Sequence, residues 1–404
     1  MKLTDFIKQS DPALRRNLVF FLISYFFVLF NYPLVRASST TLFFEAYGAK
    51  SSPIAWLWGV LFLSLAVIVC DRLQSRLSVQ KVFGIVSFFS SLLFFASTLG
   101  FLSGIKFLTY LPFTWKEIYI VIQVHLLLAY ANNILKKEDF KLLVGPIGAI
   151  GSLGGILGGW LTGQISSGGG TIQVMWVALF FVSLPAVFFF FTPSLRKAIS
   201  SQVRSPLASL TPDIRKYVWH IAGVVALTQF VINIADFNFN IAFESAVSDA
   251  TARTTYLGHV YMVTNALTFA FQFLLLPFLL TRISERSLHI FIPLSYMASL
   301  GILLLTGSAG FIPVAMFYVY LKASDYSFFS AAKEILYQPL GISQKYGAKY
   351  LTDMLVYRVS KAMIAAVLIY LQSSTILIMM MGIFLTLWVG LIFRLFRLHR
   401  QLFS

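Results

Sequence analysis

The sequence predicts an all-α membrane protein of twelve transmembrane helices, and three observations carry that expectation. Of 404 residues, 58% are hydrophobic and only 11% charged, whereas a soluble domain averages about 25% charged. Apolar runs close to the roughly 20 residues that cross a bilayer recur along the whole chain. Basic residues fall between those runs in strict alternation, dense in every second loop and sparse in the others.

The twelve runs lie near 17–35, 54–70, 82–102, 118–135, 142–166, 172–192, 218–243, 256–280, 288–306, 311–332, 351–371 and 374–393. With that count both termini share one side. That side holds the basic residues from Lys2, Lys8, Arg15 and Arg16 through Arg196, Lys197 and Arg204 to Arg394, Arg397 and Arg400. The other side holds only Arg36, Lys50, Lys106, Lys116 and Arg253. Retention of lysine and arginine in the cytoplasm makes the rich side cytoplasmic. One span more or fewer would scramble the pattern. The long loop Thr192 to Tyr217, rich in Pro and Ser with five basic residues, reads as a cytoplasmic linker, 193–217. It separates an N-terminal six-helix half, 1–192, from a C-terminal half, 218–404. Two six-helix halves joined this way form a major-facilitator-like plan, and "CDRLQSR", Cys70 to Arg76, suits its loop after the second span. The expected place is the bacterial inner membrane, with both ends in the cytoplasm and the chain a monomer. "MKLTDFIKQSDPALRRN" has no apolar stretch followed by a small-residue cleavage site, so no cleaved signal peptide is expected.

Several classes drop out. A single cysteine, Cys70, allows no intramolecular disulfide and no cysteine metal cluster. The net charge of +16 is accounted for by cytoplasmic loops, so no nucleic-acid partner is expected. No His-Glu-x-x-His or Gly-x-Ser-x-Gly pattern gives catalysis a seat. An enzyme, a metal site and a cofactor are therefore not expected. The glycines of "VGPIGAIGSLGGILGGWLTG", Val144 to Gly163, lack the Lys-Ser/Thr of a phosphate-binding loop. Their spacing, as in Gly151-Gly155-Gly159-Gly163, instead lets helices pack closely.

Ionisable residues at membrane depth are costly, about 2.5 kcal/mol or more on insertion scales, and mark functional positions. Arg36 ends the first span. His125, Asn132 and Asn133 lie on the fourth. Asn233, Asp236 and Asn240 share one face of the seventh, at i, i+3 and i+7. Lys322 and Asp325 lie three apart on the tenth, where they either neutralise each other or contact substrate. Lys333 and Glu334 follow at its cytoplasmic end, where long side chains reach water cheaply. Arg358 and Lys361 put two positive charges on one face of the eleventh. Like charges there favour an anion held between the halves.

The stretch "KASDYSFFSAAKEILYQPL", Lys322 to Leu340, resembles the signature of the ATP/ADP translocase family of intracellular bacteria and plastids. There a lysine precedes "KYS" and "KEMAYIPL". Lys322, Tyr326, Ser327, Lys333, Glu334, Tyr337, Pro339 and Leu340 match. "KYGAKYLTDMLVYRVSKA" resembles that family's "KGKAAIDVVGARLGKSGG", matching Asp353, Arg358 and Lys361. "FNYPLVRASSTTLFFEAYGAKSSPIAWL" and "EIYIVIQVHLLLAYANNI" resemble its first-span and "FANEI" regions more loosely. The chain departs where the family carries charge. Ala37, Ser39 and Thr40 replace the Asp, Lys and Asp of "RDTKD", Asn133 the glutamate of "FANEI", and Asn240 that of "NLVEVTWK". The resemblance implies a facilitator-type fold and nucleotide transport. The departures leave room for another nucleotide, another phosphorylated solute or proton-coupled movement.

The function expected is transport of a nucleotide or related organic anion by alternating access. Substrate would meet Arg358, Lys361, Asn133, Asn240, Asp236 and Arg36, while Lys322, Asp325, Lys333 and Glu334 serve as gating ion pairs. Transport of an unrelated solute on the same scaffold, or a non-transporting sensor or scaffold, are the alternatives.

Overall fold

The computed structural model describes residues 10–194, 210–307 and 310–403. Lys2, Lys8, Arg196, Lys197 and Arg204, with most of the expected 193–217 linker, lie outside the described residues. What is described is all helix and connecting turn, without strands.

The helices are α1 (Pro12–Tyr47), α2 (Ser52–Gln74), α3 (Val79–Leu102), α4 (Tyr110–Ile134), α5 (Lys137–Phe190), α6 (Pro212–Ala246) and α7 (Ala250–Ala270). They continue as α8 (Leu276–Arg282), α9 (Glu285–Thr306), α10 (Phe311–Ser324), α11 (Ser330–Leu336), α12 (Ile342–Lys349), α13 (Tyr357–Tyr370) and α14 (Ser374–Phe403). Their ends follow local chemistry. Pro12 opens α1, where its missing N–H costs nothing. Gly48 closes α1 at φ 77°, a conformation that a Cβ disfavours. Ser78 caps α3, its hydroxyl accepting from Lys81 N–H at 3.4 Å, and Ser284 caps α9 through Ser287 N–H at 3.2 Å.

Among the described residues nine helices are long and apolar enough to cross a membrane, against twelve expected runs, and the difference has two causes. The expected fifth and sixth spans are both present as two helical stretches of α5 that meet at Gly170, whose φ of 82° and ψ of 174° are not helical, and they are counted together. The expected tenth and eleventh spans are helical, from Phe311 to Leu336 and from Ile342 to Tyr370. They carry Lys322, Asp325, Lys333 and Glu334, and Lys345, Lys349, Asp353, Arg358 and Lys361. That charge load lowers their apolar character while leaving their helicity intact.

The chain forms two compact units. Unit 1 gathers Met1–Gly48, Leu61–Ile199 and Val247–Ala266. Its centre is α1, packed along α5, with α3 and α4 beside them. Because lipid is as apolar as leucine, packing rather than hydrophobic expulsion holds membrane helices together. The glycines of α5 do that work on two faces. A Cβ on Gly158 would sit 1.9 Å from the Phe30 carbonyl oxygen, and one on Gly154 would sit 2.6 Å from that of Phe26, so α1 lies directly on this face. On the other face Gly159 meets the backbone of Gly258 and Met262, while Gly155 meets Asn265 and Gly163 meets His259. Aromatic stacking fills the remainder, as where the Phe43 and Phe113 rings lie 4.0 Å apart. Buried hydroxyls find partners too. Thr254 Oγ1 donates to Thr41 Oγ1 at 2.8 Å and lies 2.8 Å from Thr171 Oγ1, next to the break at Gly170.

Unit 2 gathers Ala49–Val60, Ser200–Ala246 and Leu267–Ser404. Its centre is α6, packed against α10, α13 and α14. Glu244, near the end of α6, accepts from Ala49 N–H at 2.9 Å. That carboxylate suits the positive start of the short turn Ala49–Ser51 and of α2. The π-helical turns among the described residues, Phe271–Leu275, Asp325–Phe329 and Tyr350–Val356, all fall in unit 2. Such turns interrupt the regular ladder and are frequent at functional sites. On both units large apolar side chains such as Phe88 (70% exposed), Leu274 (72%) and Met316 (68%) face outward, as a lipid-facing surface requires.

Candidate functional site

Unit 2 brings most of the expected ionisable residues into three groups. The first is on α6 and α10. Lys322 Nζ lies 3.2 Å from Asp236 Oδ2, with side chains 12% and 14% exposed. Asn240, one turn beyond Asp236, donates from Nδ2 to Asp236 Oδ1 at 3.5 Å. Lys322 also lies 5.8 Å from the centre of the Tyr318 ring, a favourable place for a cation. Lys322 thus has a partner on another helix, Asp236, besides Asp325 on its own. Asp325 opens the π-helical turn and stays within electrostatic reach of both Lys322 and Lys333. The face formed by Asn233, Asp236 and Asn240 turns inward: both asparagines are buried, and Asn233 Nδ2 donates back to the Gln229 carbonyl at 2.7 Å.

The second group joins the two motif blocks. Lys333 Nζ donates to Asp353 Oδ1 at 2.8 Å. Lys349 Nζ donates to both oxygens of Glu334, at 2.8 and 2.7 Å. Between them the buried Tyr337 and Thr352 hydroxyls are hydrogen-bonded to each other. Tyr217 on α6 donates to the Leu336 carbonyl at 3.0 Å. Lys333 and Glu334 are therefore not paired with each other. Each crosses to the segment from α12 into the π-helical turn that follows. Sequence reading missed Lys349 as a partner and matched Asp353 without giving it one. The signal was available as complementary charge, Lys-Glu against Lys-x-x-x-Asp, in consecutive blocks. A double-mutant cycle tests this clasp. Asp353→Asn and Lys333→Met are each expected to lower stability by about 1–3 kcal/mol by stranding the other charge. The double variant is expected to recover more than half of that, read as thermal unfolding of the purified protein.

The third group is Arg358 and Lys361, half-buried and about one turn apart on α13. Among the described residues Arg358 has no acidic side chain at ion-pair distance; its guanidinium meets the sulfur of Met354 at 3.7 Å. In unit 2, Lys322, Lys333 and Lys349 each hold a carboxylate. Arg358 is a cation left over from that pairing.

The remaining expected site residues lie in unit 1. Arg36, on α1, has a side chain 11% exposed; its Nε lies 3.8 Å from Glu117 Oε1. Its guanidinium sits 4.6 Å from the centre of the Tyr261 ring. Tyr32 donates to the same Glu117 oxygen at 3.1 Å. Arg36 is thus an interior, compensated cation, and Glu117 is a partner that sequence reading missed. Beside it Lys116, 4% exposed, donates to Thr40 at 3.2 Å and lies over the Phe113 ring. Asn133 is exposed near the end of α4, donating to the Ala129 carbonyl at 2.7 Å, and joins none of these groups. His125 is exposed on the same helix.

No family model matches the chain, and no curated protein matches it. Solved structures do. The nucleoside transporter NupG aligns with a TM-score of 0.63 at 15% identity, covering 96% of this chain and 99% of that one. A bacterial homologue of the iron transporter ferroportin aligns at 0.69 and 12% identity, covering 95% and 99%. The D-xylose-proton symporter aligns at 0.66 and 13% identity, covering 93% and 96%. Similarity over nearly the full length of each, at such low identity, is a similarity of fold: this chain has the major-facilitator-like, all-α membrane fold.

Proposed function

We propose that this protein is a multi-pass membrane transporter that moves a small organic anion by alternating access, with a nucleotide or similar phosphorylated solute as its class. The observation that carries the reading is Arg358, half-buried in a membrane helix with no acidic partner among the described residues. Keeping an unpaired cation at such depth costs several kcal/mol, and a negatively charged ligand offsets that cost. A guanidinium matches phosphate oxygens with two parallel hydrogen bonds. Lys361, about one turn on, adds a second charge. The buried amides of Asn233 and Asn240 supply polar surface without further charge. An inner-membrane location with cytoplasmic termini follows from the reading of the charge pattern, and a monomer is proposed alongside.

The resemblance of the two motif blocks to nucleotide translocases supports the substrate class. NupG carries nucleosides, and a nucleoside is the uncharged part of a nucleotide. The other neighbours include a ferroportin homologue and a D-xylose symporter, so the fold alone leaves the solute open. A second reading, a neutral polar solute, is favoured by the pairing of Lys322 with Asp236 and by Gln229, Asn233 and Asn240, all buried on α6.

The experiment is uptake of radiolabelled ATP, ADP and GTP into proteoliposomes, alongside a thermal-shift screen of the purified protein. Saturable uptake of one or more nucleotides, with stabilisation by the same compounds, is expected. Stabilisation by nucleosides or sugars but by no phosphorylated compound would replace the anion reading with the neutral one.

A further inference from the structure

In unit 2 the last turns of α14 meet the start of α9 in a patch of arginines. Arg394 and Arg397 stand exposed on α14, three residues apart and hence on one face. Arg282, exposed, ends α8, and Arg286, half-buried, lies in the first turn of α9. α9 packs along α14, and the Arg286 guanidinium lies 5.0 Å from the centre of the Phe393 ring. That contact fixes the start of α9 beside Arg394 and Arg397. Arg282 lies 5.5 Å from the centre of the Phe278 ring. Among the described residues none of these four arginines has a carboxylate at ion-pair distance. Glu285, exposed between Arg282 and Arg286 in the chain, is one acid beside four cations. Arg286 also sits at the positive start of a helix, where an anion is favoured and a cation is not.

The two sides of α14 differ. Its inner side is filled. The Phe396 ring lies 5.2 Å from that of His289 on α9, His399 meets the Tyr217 hydroxyl on α6, and Arg400 has an interaction of its own. The outer side is open. Met379, Ile383, Leu387, Gly390, Arg394 and Arg397 follow one another at steps of three or four residues, so they form one stripe, and all are exposed. At Gly390 an added Cβ would meet nothing within 4 Å, which leaves a shallow notch next to the arginines. From Ile383 to Arg394 the helix rises about 16 Å, close to one leaflet of a hydrocarbon core about 30 Å thick.

We propose that this face of unit 2 is a binding site for an anionic phospholipid. Arg394, Arg397 and Arg286 hold its phosphate, and an acyl chain lies along the stripe past Gly390 towards Ile383. The arginines select an anion, since a guanidinium meets phosphate oxygens with two parallel hydrogen bonds. The apolar stripe below them selects a lipid over a soluble anion. Basic pockets between membrane helices take anionic headgroups in this way. The bound phosphate neutralises the patch and ties the start of α9 to the end of α14. The site stands apart from the transport reading above.

The test is titration of the purified full chain in neutral detergent, read by native mass spectrometry. Dioleoyl phosphatidylglycerol is expected to bind saturably and about tenfold tighter than dioleoyl phosphatidylcholine. Each arginine contributes about fivefold to anionic-lipid affinity. Arg394→Gln combined with Arg397→Gln is therefore expected to weaken phosphatidylglycerol binding about twenty-five-fold. Phosphatidylcholine binding, unchanged, reports that the variant is folded. Arg394→Lys with Arg397→Lys keeps the charge and is expected to stay within about fivefold of the parent. Arg215→Gln with Lys216→Gln removes two exposed charges from the start of α6 instead and is expected to change little. No preference for phosphatidylglycerol overturns the site. An equal loss in the α6 pair also overturns it, reducing it to diffuse positive charge. Displacement of the lipid by glycerol 3-phosphate at equal concentration, or equal affinity for dihexanoyl phosphatidylglycerol, overturns the lipid in favour of a soluble anion.

Discussion

Arg358→Ala is expected to lower anion transport by about a hundredfold while raising thermal stability. The two effects have one cause. Charge-assisted hydrogen bonds contribute about 1.5–3 kcal/mol each, and 1.4 kcal/mol is a factor of ten. Losing a guanidinium that holds a phosphate therefore costs one to two orders of magnitude in transport. The same guanidinium has no acidic partner among the described residues, so the protein without substrate carries an uncompensated charge. Removing it should stabilise the substrate-free protein by about 1–2 kcal/mol. Arg358→Lys keeps the charge but not the planar fork and is expected to lie between, about tenfold down in transport. Uptake in proteoliposomes and unfolding of the purified variants measure the two sides. A variant that loses stability and keeps transport would make Arg358 a structural residue and end the anion reading.

Gly158→Leu is expected to be the most disruptive single change in unit 1, and Gly158→Ala already severe. The added Cβ would stand 1.9 Å from the Phe30 carbonyl oxygen and 2.8 Å from its carbon. Both are backbone atoms, so no side-chain rotation relieves the overlap and α1 must move away from α5. Overpacking typically costs about 1–3 kcal/mol, and a rigid backbone neighbour puts this site at the upper end. Two comparisons separate the cause from glycine loss in general. At Gly151 the added atom would meet the Leu29 and Tyr25 side chains, at 2.5 and 2.7 Å. These can turn, so Gly151→Ala is expected to cost less. At Gly168 nothing lies within 4 Å, and Gly168→Ala is expected to stabilise by about 0.5–1 kcal/mol through helix propensity alone. The temperature at which each solubilised variant loses its monodisperse elution peak ranks them.

Much of the fold was legible because bilayer thickness sets the length of an apolar run, and composition alone reveals such runs. The fifth and sixth runs are two helical stretches that meet at Gly170, where the backbone angles leave the helical region. The close packing expected of the α5 glycines appears as contacts on α1 and α7. Spacing gave the faces of one helix; which neighbour lies against each face depends on residues about a hundred or more positions away in either direction.

The candidate site was legible as a set of residues and not as a set of pairs. The cost of charge in a membrane singled out Asp236, Lys322, Asp325, Lys333, Glu334, Arg358 and Lys361 from sequence alone. Partnership is different. Lys322 meets an aspartate 86 positions earlier, as well as standing near the one three residues on. Lys333 and Glu334, adjacent in the chain, take separate partners 20 and 15 residues away. Arg36 finds Glu117 across two helices. Helical spacing orders residues along one helix face, but the pairing of charges is decided where two helices touch.

By itself, then, the sequence determined that this is a helical membrane protein with charge held at depth, because hydrophobicity and the cost of desolvating an ion act residue by residue. Only the tertiary structure decided which of those charges are neutralised. Helix packing brings Asp236, Asp353 and Glu334 to their lysines, and it leaves Arg358 facing no acid among the described residues.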